Sequence, residues 1–429
     1  MDVNAYPLWH GFDPMKTYVD TLEPGRFFVS GEGVWVTDAD GKRYLDARAC
    51  LMNVTLGYSH PRLIAAIADQ AATLPVATLL GYEHPAEISV EYARRLAAKM
   101  PAGLGRIRLG HTGTQAVETA MLASRWARVQ EGTPARMGIL AHHTAYHGTG
   151  PGATALIGWE PWRDAAGPLV PGVVHTEAVG SMFEDFEAAI AKAGPETISA
   201  VFIEGVTGKH EIAPTHDDLR QLADLCARNG IHLVVDEVIS GMGRSGTYTV
   251  CEGAGITPTM ITLSKGITSG YQPLGAVAVS EELFQRVGLG EKEFPLASTT
   301  DGHPIGAAAG MAVLEAIDEE GILDNVVKQS ARLLDNLTQI HEEFLGGPRP
   351  DARGLALVFP LHDADGNPWA DEAIERLRLT ADEGGLLFTG GEGSAHVWFF
   401  PPLIITDEEV DEIADRLRTA LLTVTNAAS

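Results

Sequence analysis

Apolar and polar positions change rhythm twice along the 429-residue chain. Near the start, "GVWVTDADGKRYLDA" alternates apolar with polar residues on both sides of Asp40-Gly41, which predicts two half-buried strands joined by a tight turn. Between about residues 60 and 320 the period lengthens. Helical stripes in "PRLIAAIADQAA", "PAEISVEYARRLAAKM", "AVETAMLASRWARVQ" and "DDLRQLADLCARNG" alternate with the apolar runs "RMGILAHH", "ISAVFIEGV", "IHLVVDEV", "MITLSKG" and "LGAVAVS". Apolar runs between amphipathic helices predict an α/β domain whose largely parallel sheet is covered on both faces. After "GILDNVVKQSARLLDNLTQIHEEF" the strand-like "GLALVFPLH" and "AHVWFFPPLIIT" stand among helices, predicting a smaller α+β domain. The expected division is a hairpin segment (1–58) packed with the small domain, a large α/β domain (59–320) and the small domain itself (321–429). No fixed-period repeat or low-complexity tract interrupts it.

Composition narrows the chemistry. A formal net charge of −26 argues against a general nucleic-acid or anionic-membrane surface, since both need clustered Lys and Arg. It leaves room for a local anion site at a helix end. Cys50, Cys226 and Cys251 lack metal-ligand or disulfide-framework spacing, so no metal is expected. The start, "MDVNAYPLWHGFDPMK", does not read as a signal peptide, and "PIGAAAGMAVLEAI" is too short to span a bilayer. A reducing cytoplasm is the expected setting.

In "HLVVDEVISGMGRSG" (232–246) an apolar run ends in Asp236 and Glu237, and Gly241, Gly243 and Gly246 follow with the spacing G-x-G-x-x-G. A dinucleotide loop needs those glycines at a turn leading straight into a helix. Here "TYTVCEGAGITPTM" follows, with no helical stripe, and two carboxylates at the strand's end would repel a pyrophosphate. The carboxylates make better sense beside the next run, which ends in Ser264-Lys265-Gly266. Parallel neighbours end at one sheet edge, so Asp236 and Lys265 should meet in one cleft; a plain salt bridge is the alternative. Thr112, Gly113 and Thr114 lead into a helix and offer hydroxyls and amides to a phosphate, or else a simple N-cap. A lysine, a carboxylate and a phosphate cup on separate strand ends are what pyridoxal phosphate requires.

With those elements in place, the order of motifs resembles the class III (omega) aminotransferases. It runs through "GEGVWVTDADGKRYLD", "HTGTQAVE", "AYHG", "VFIEGV", "VVDEVISGMGRSG", "LSKGITSGYQPLGA", "STTDGHP" and "FPPLIITDEEVDE", covering nearly the whole chain. The resemblance implies the fold type I architecture of pyridoxal-phosphate enzymes. It implies that Lys265 is the Schiff-base lysine and proton carrier, and that Asp236 pairs with the ring nitrogen. Val238 and Tyr146 would flank the ring, Gly113 and Thr114 would form the phosphate cup, and Glu204 would lie on the ring-hydroxyl side. His147, beside Tyr146, would belong to the cofactor site or else only support the loop. Thr299 would reach the phosphate of a neighbouring subunit, making a homodimer necessary for cofactor binding. Met52, Tyr82, Glu392 and Trp398 are expected at the substrate pocket.

The chain departs from its relatives near the end. Amino-acid-specific members usually carry an Arg just before "PPL", where its planar fork binds a carboxylate; here Trp398 stands there. No Arg or Lys occurs from Leu379 through Asp415, and Glu392, His396 and aromatics fill that stretch. Met52 replaces an aromatic pocket wall. Arg26, Arg48, Arg163 or Arg353 could supply a cation from another direction. The expected activity is therefore amino transfer between an omega-amine and a keto acid or aldehyde. An aminomutase, racemase or decarboxylase of the same fold, and a catalytically retired binding subunit, are the alternatives.

Overall fold

The computed structural model describes residues 6–12, 14–21, 27–81, 83–207, 213–290, 292–390 and 393–426. Tyr82, Glu392 and Arg26 lie outside the described residues. The predicted hairpin is present: β1 (Phe28–Glu32), β2 (Trp35–Asp38) and β3 (Arg43–Asp46) form an antiparallel meander. Gly41 turns the β2–β3 connection at a φ of +85°, open to a residue without Cβ.

Seven strands build the central sheet: β4 (Arg106–Gly110), β5 (Gly138–Ala141), β6 (Val173–His175), β7 (Ile198–Glu204), β8 (His232–Asp236), β9 (Met260–Leu263) and β10 (Gly275–Val279). Their order is β4-β10-β9-β8-β7-β5-β6. From β9 to β6 every pairing is parallel, whereas β10 runs against both β9 and β4. The reason is the connection. Only residues 264–274 separate β9 from β10, too few for the helical crossover that a parallel return needs.

Strand alternation divides the core into two layers. Val201, Ile203, Leu233 and Val235 face one side, with Leu219, Leu222 and Val313 from the covering helices. Ala200, Phe202 and Val234 face the other, against Val117, Ala120 and Met121 of the helix Gly113–Gln130. All of β7 is buried, as a strand covered on both faces must be.

The last segments supply β11 (Asp351–Ala352), β12 (Leu357–Pro360), β13 (Leu386–Leu387), β14 (Thr389–Gly390) and β15 (His396–Phe399). They form a sheet ordered β11-β12-β15-β14, while β13 pairs with β3 in parallel, Leu386 opposite Leu45. The N-terminal meander is thus completed by chain more than three hundred residues downstream. Among the described residues no helix is long and apolar enough to cross a membrane.

Candidate active site

The C-terminal ends of β4, β5, β7, β8 and β9 surround a cavity of about 160 Å³. Asp236, the last residue of β8, stands in register with Glu204 on β7 and Thr262 on β9. Its Oδ1 accepts from the Val238 amide and the Thr262 hydroxyl, each at 3.0 Å. Its Oδ2 accepts from His147 Nδ1 at 2.7 Å. Three donors therefore fix a buried carboxylate in one orientation, as a buried charge requires. Glu237, the next residue, points to the opposite side. It accepts from Ser240 Oγ (2.8 Å) and from the amides of Val250 (2.8 Å) and Cys251 (3.0 Å). Burial pushes its pKa up against those bonds, and it caps the short helix Val250–Ala254. One residue of spacing separates a site carboxylate from a structural one.

Lys265 begins a 3-10 turn directly after β9, at a φ of +46° that L-residues rarely adopt. Burial lowers its pKa from 10.5 to about 8, overcoming the opposing charges of Asp236 and Glu204, while the Arg244 guanidinium adds to the lowering. Its Nζ lies 3.8 Å from Met52 Sδ. At the helix Gly113–Gln130, the Thr112 hydroxyl caps the Gln115 amide at 3.1 Å. The N-cap and the phosphate cup are both available, because the cap uses Thr112 and leaves Gly113 and Thr114 on the cavity wall. A Cβ at Gly113 would sit 3.0 and 3.1 Å from the Val238 methyls, so the glycine keeps that floor open.

Tyr146 and His147 come from the loop after β5. The Tyr146 amide donates to Glu204 Oε2 at 3.0 Å, and His142, at the loop's start, bonds Asp185 Oδ2 at 3.0 Å. Burial opposes protonation of His147, but the hydrogen bond and charge of Asp236, with Glu204 behind, raise its pKa overall. His147 is thus a direct partner of Asp236 as well as part of the loop.

Thr299 is exposed and lies outside the lining of this cavity. Its turn is anchored by Asp301, which accepts from the Ser298 amide (3.0 Å), Gln115 Nε2 (3.0 Å) and Arg108 Nη2 (3.3 Å). Trp398 is not on this cavity either. With Met52, Val206, Ala356, Val358 and Phe400 it forms an apolar cluster beside Lys265.

Sequence reasoning missed Thr262 and Arg244. Thr262 carried a signal, since a residue three before Lys265 on a strand parallel to β8 falls level with Asp236. Arg244 carried none. It is fully buried, burial lowers its pKa to about 9, and its Nη1 donates to the carbonyls of Leu355 (2.8 Å) and Pro401 (2.5 Å). The glycine loop around it holds φ of +96° at Gly243 and +89° at Gly246, and no helix follows directly. The loop ties the sheet edge to the C-terminal segment and does not have the strand–turn–helix form of a dinucleotide site.

The family model for class III aminotransferases matches residues 19–421. The chain belongs to that family. It is similar to a probable aminotransferase of Mycobacterium tuberculosis, 35% identical over 420 residues, covering 92% of this chain and 89% of the relative. It is also similar to an acetylornithine aminotransferase of Mesorhizobium japonicum, 31% identical over 392 residues, covering 91% and 92%. A solved (S)-enantioselective omega-transaminase from Thermomicrobium roseum superposes with a TM-score of 0.90 at 29% identity, covering 97% of this chain and 96% of that one. The fold is that of the fold type I transaminases, and the chain is an aminotransferase.

Class III aminotransferases use pyridoxal phosphate. The cavity's donor set fits it: an amine of lowered pKa, a carboxylate held by three donors, and a glycine floor at the start of an 18-residue helix.

Proposed function

We propose that this aminotransferase takes nitrogen from an amine lacking a fork-bound α-carboxylate and delivers it to a keto acid or aldehyde by a ping-pong mechanism. The observation that carries the reading is Met52, whose thioether lies 3.8 Å from Lys265 Nζ and which packs into an apolar cluster with Val206, Ala356, Val358, Trp398 and Phe400, Trp398 standing in the sequence place of an arginine. An apolar wall beside the reacting amine favours an alkyl or aryl substituent and leaves a carboxylate there unpaired.

When bound, the cofactor supplies the electron sink that stabilises a carbanion at the substrate carbon. The chain supplies the rest. Lys265 Nζ, half neutral near pH 8, takes a proton from the substrate carbon and returns it. Asp236, oriented by His147 and Thr262, would hold the proton of the ring nitrogen. Gly113 and Thr114 would hold the phosphate at the positive end of their helix. Val238 and Tyr146, both on the cavity lining, would flank the ring, and Glu204 fixes the Tyr146 backbone. In a homodimer, Thr299 of the partner subunit would reach the phosphate.

The test is the visible absorbance of the cofactor-loaded protein as amines and amino acids are added singly. An omega-amine such as 1-phenylethylamine should bleach it, and a keto acid should restore it. Bleaching by α-amino acids alone would overturn the donor assignment. Bleaching that no keto acid or aldehyde reverses would overturn the transfer.

A further inference from the structure

β5 and β6 are parallel neighbours, and the residues just past their ends gather a set of donors that the cofactor cavity does not use. His142 and His143 follow β5 directly, and Thr176 follows β6, its amide donating to the Ala141 carbonyl at 3.0 Å. Facing them is Asp185, buried in the first turn of the helix Met182–Ala193. Its Oδ1 accepts from the amides of Val179 (2.6 Å) and Gly180 (3.1 Å), which leaves Oδ2 for the histidines. His142 Nε2 lies 3.0 Å from Oδ2, and His143 Nδ1 lies 3.6 Å from it. Among the described residues no Lys or Arg pairs with this buried carboxylate, although a buried charge calls for a cation. Among the described residues this is also the one place where three side chains of metal-ligating type converge, their donor atoms within 4.8 Å of one another.

We propose that His142, His143 and Asp185 form a zinc site at the root of the loop that carries Tyr146 and His147. Two imidazole nitrogens and a carboxylate oxygen suit a divalent transition ion, whereas Mg²⁺ and Ca²⁺ take oxygen ligands. Bonds of about 2.1 Å to nitrogen and oxygen put the ligand atoms of a tetrahedral ion about 3.4 Å apart. The two separations from Oδ2, 3.0 and 3.6 Å, bracket that value. The outer partners are in place as well. Thr144 Oγ1 is 2.7 Å from His142 Nδ1, the acceptor that the second nitrogen of a ligating imidazole needs. The His143 side chain is 31% exposed, which gives an ion its entry and water the fourth position. The spacing of the cysteines argued against a metal, but none of these three ligands is a cysteine. A bound ion ties the loop to the helix Met182–Ala193. A few residues on, the Tyr146 amide bonds Glu204 and His147 bonds Asp236, so bracing the root of this loop steadies both residues at the cofactor cavity. Zinc here acts on cofactor retention through position and takes no part in the chemistry.

The test is calorimetric titration of chelator-treated, cofactor-loaded protein with Zn²⁺, beside His143→Ala and Asp185→Asn. Both variants should fold, since His143 is partly exposed and asparagine keeps a carbonyl oxygen for the Val179 and Gly180 amides. The wild type should bind one ion per chain. Each variant should raise the Kd by about tenfold or more, because loss of even an outer partner costs about that much. Co²⁺ in place of Zn²⁺ should give the visible bands of a four-coordinate site in the wild type alone. Zn²⁺ should also raise the wild-type Tm and slow the loss of cofactor on dialysis severalfold, and His143→Ala should show neither effect. No saturable uptake by the wild type, or one Kd shared by all three proteins as adventitious binding elsewhere would give, would overturn the site. Zinc binding that depends on His143 and Asp185 but leaves cofactor loss unchanged would overturn the bracing role.

Discussion

Replacing Lys265 with Met should stabilise the cofactor-free protein, and the gain should shrink as pH rises. In the folded chain burial lowers the lysine's pKa from 10.5 to about 8, against the pull of Asp236 and Glu204. At 1.36 kcal/mol per tenfold change, the charged form is disfavoured by ~3 kcal/mol; a path to solvent through the cavity reduces this to about 2–3 kcal/mol. Below pH 8 the amine is protonated in both folded and unfolded states, and the whole penalty weighs on the fold. Between 8 and 10.5 the unfolded chain binds the extra proton, so wild-type stability rises with pH. Met fills the same length without the charge. Urea unfolding of both cofactor-free proteins should show Lys265→Met ahead by about 2–3 kcal/mol at pH 7, with roughly half that margin left at pH 9.5. A margin that does not change with pH, or a variant less stable at pH 7, would refute the reasoning that desolvation sets this lysine's protonation.

Other consequences can be read with the same methods. His147→Phe should cost roughly 1.5–3 kcal/mol at pH 6. Because the folded pKa of His147 lies above 6.5, the charged pair with Asp236 is fully present below that value and is lost as pH rises through the folded one; urea unfolding at pH 9 should show a smaller cost. Gly113→Ala places a methyl 3.0 Å from Val238 at the cup's floor, so absorbance titration with pyridoxal phosphate should give a Kd raised about tenfold, with cofactor-free stability changed by less than ~1 kcal/mol. Leu51→Gly removes a Cβ at a φ of +58°, and thermal unfolding should show a gain of ~0.5–1 kcal/mol; a loss would mean that Leu51 makes contacts outweighing its strain.

What could be read in advance follows from what the chain makes periodic. The meeting of Asp236 and Lys265 was legible because β8 and β9 are parallel neighbours with uniformly apolar runs ending at one edge. The direction of β10 was not, since an apolar run looks the same either way. The His147–Asp236 bond was also hidden, because the loop after β5 reaches across β7 to β8 and only the strand order reveals that crossing. The pairing of β13 with β3 involves two residues per strand, too short for any periodicity.

The unusual backbone around the lysine has a similar origin. Ala49, Cys50, Leu51 and Met52 all have φ between +46° and +66°, one turn of left-handed helix with no glycine to mark it. Such a turn costs about 1–2 kcal/mol per residue on its own. It persists because its polar groups are satisfied in that form alone: the Met52 amide donates to Arg48 O at 2.7 Å and the Asn53 amide to Ala49 O at 2.8 Å. Buried Asp46 accepts from the Cys50 amide (2.8 Å) and the Tyr58 hydroxyl (2.6 Å), and Asn53 Nδ2 returns to Cys50 O (2.9 Å). The result is a Met52 thioether fixed against Lys265, facing a lysine whose own φ is positive. Met242 and Ser269, at φ of +58° and +52°, continue the pattern in neighbouring loops. Strain gathered at one place, and held by hydrogen bonds that a relaxed backbone would break, positions the amine before any ligand arrives. A flexible segment could present the same atoms, but it would have to order them at each turnover. The left-handed turn moves that ordering into the folding of the chain.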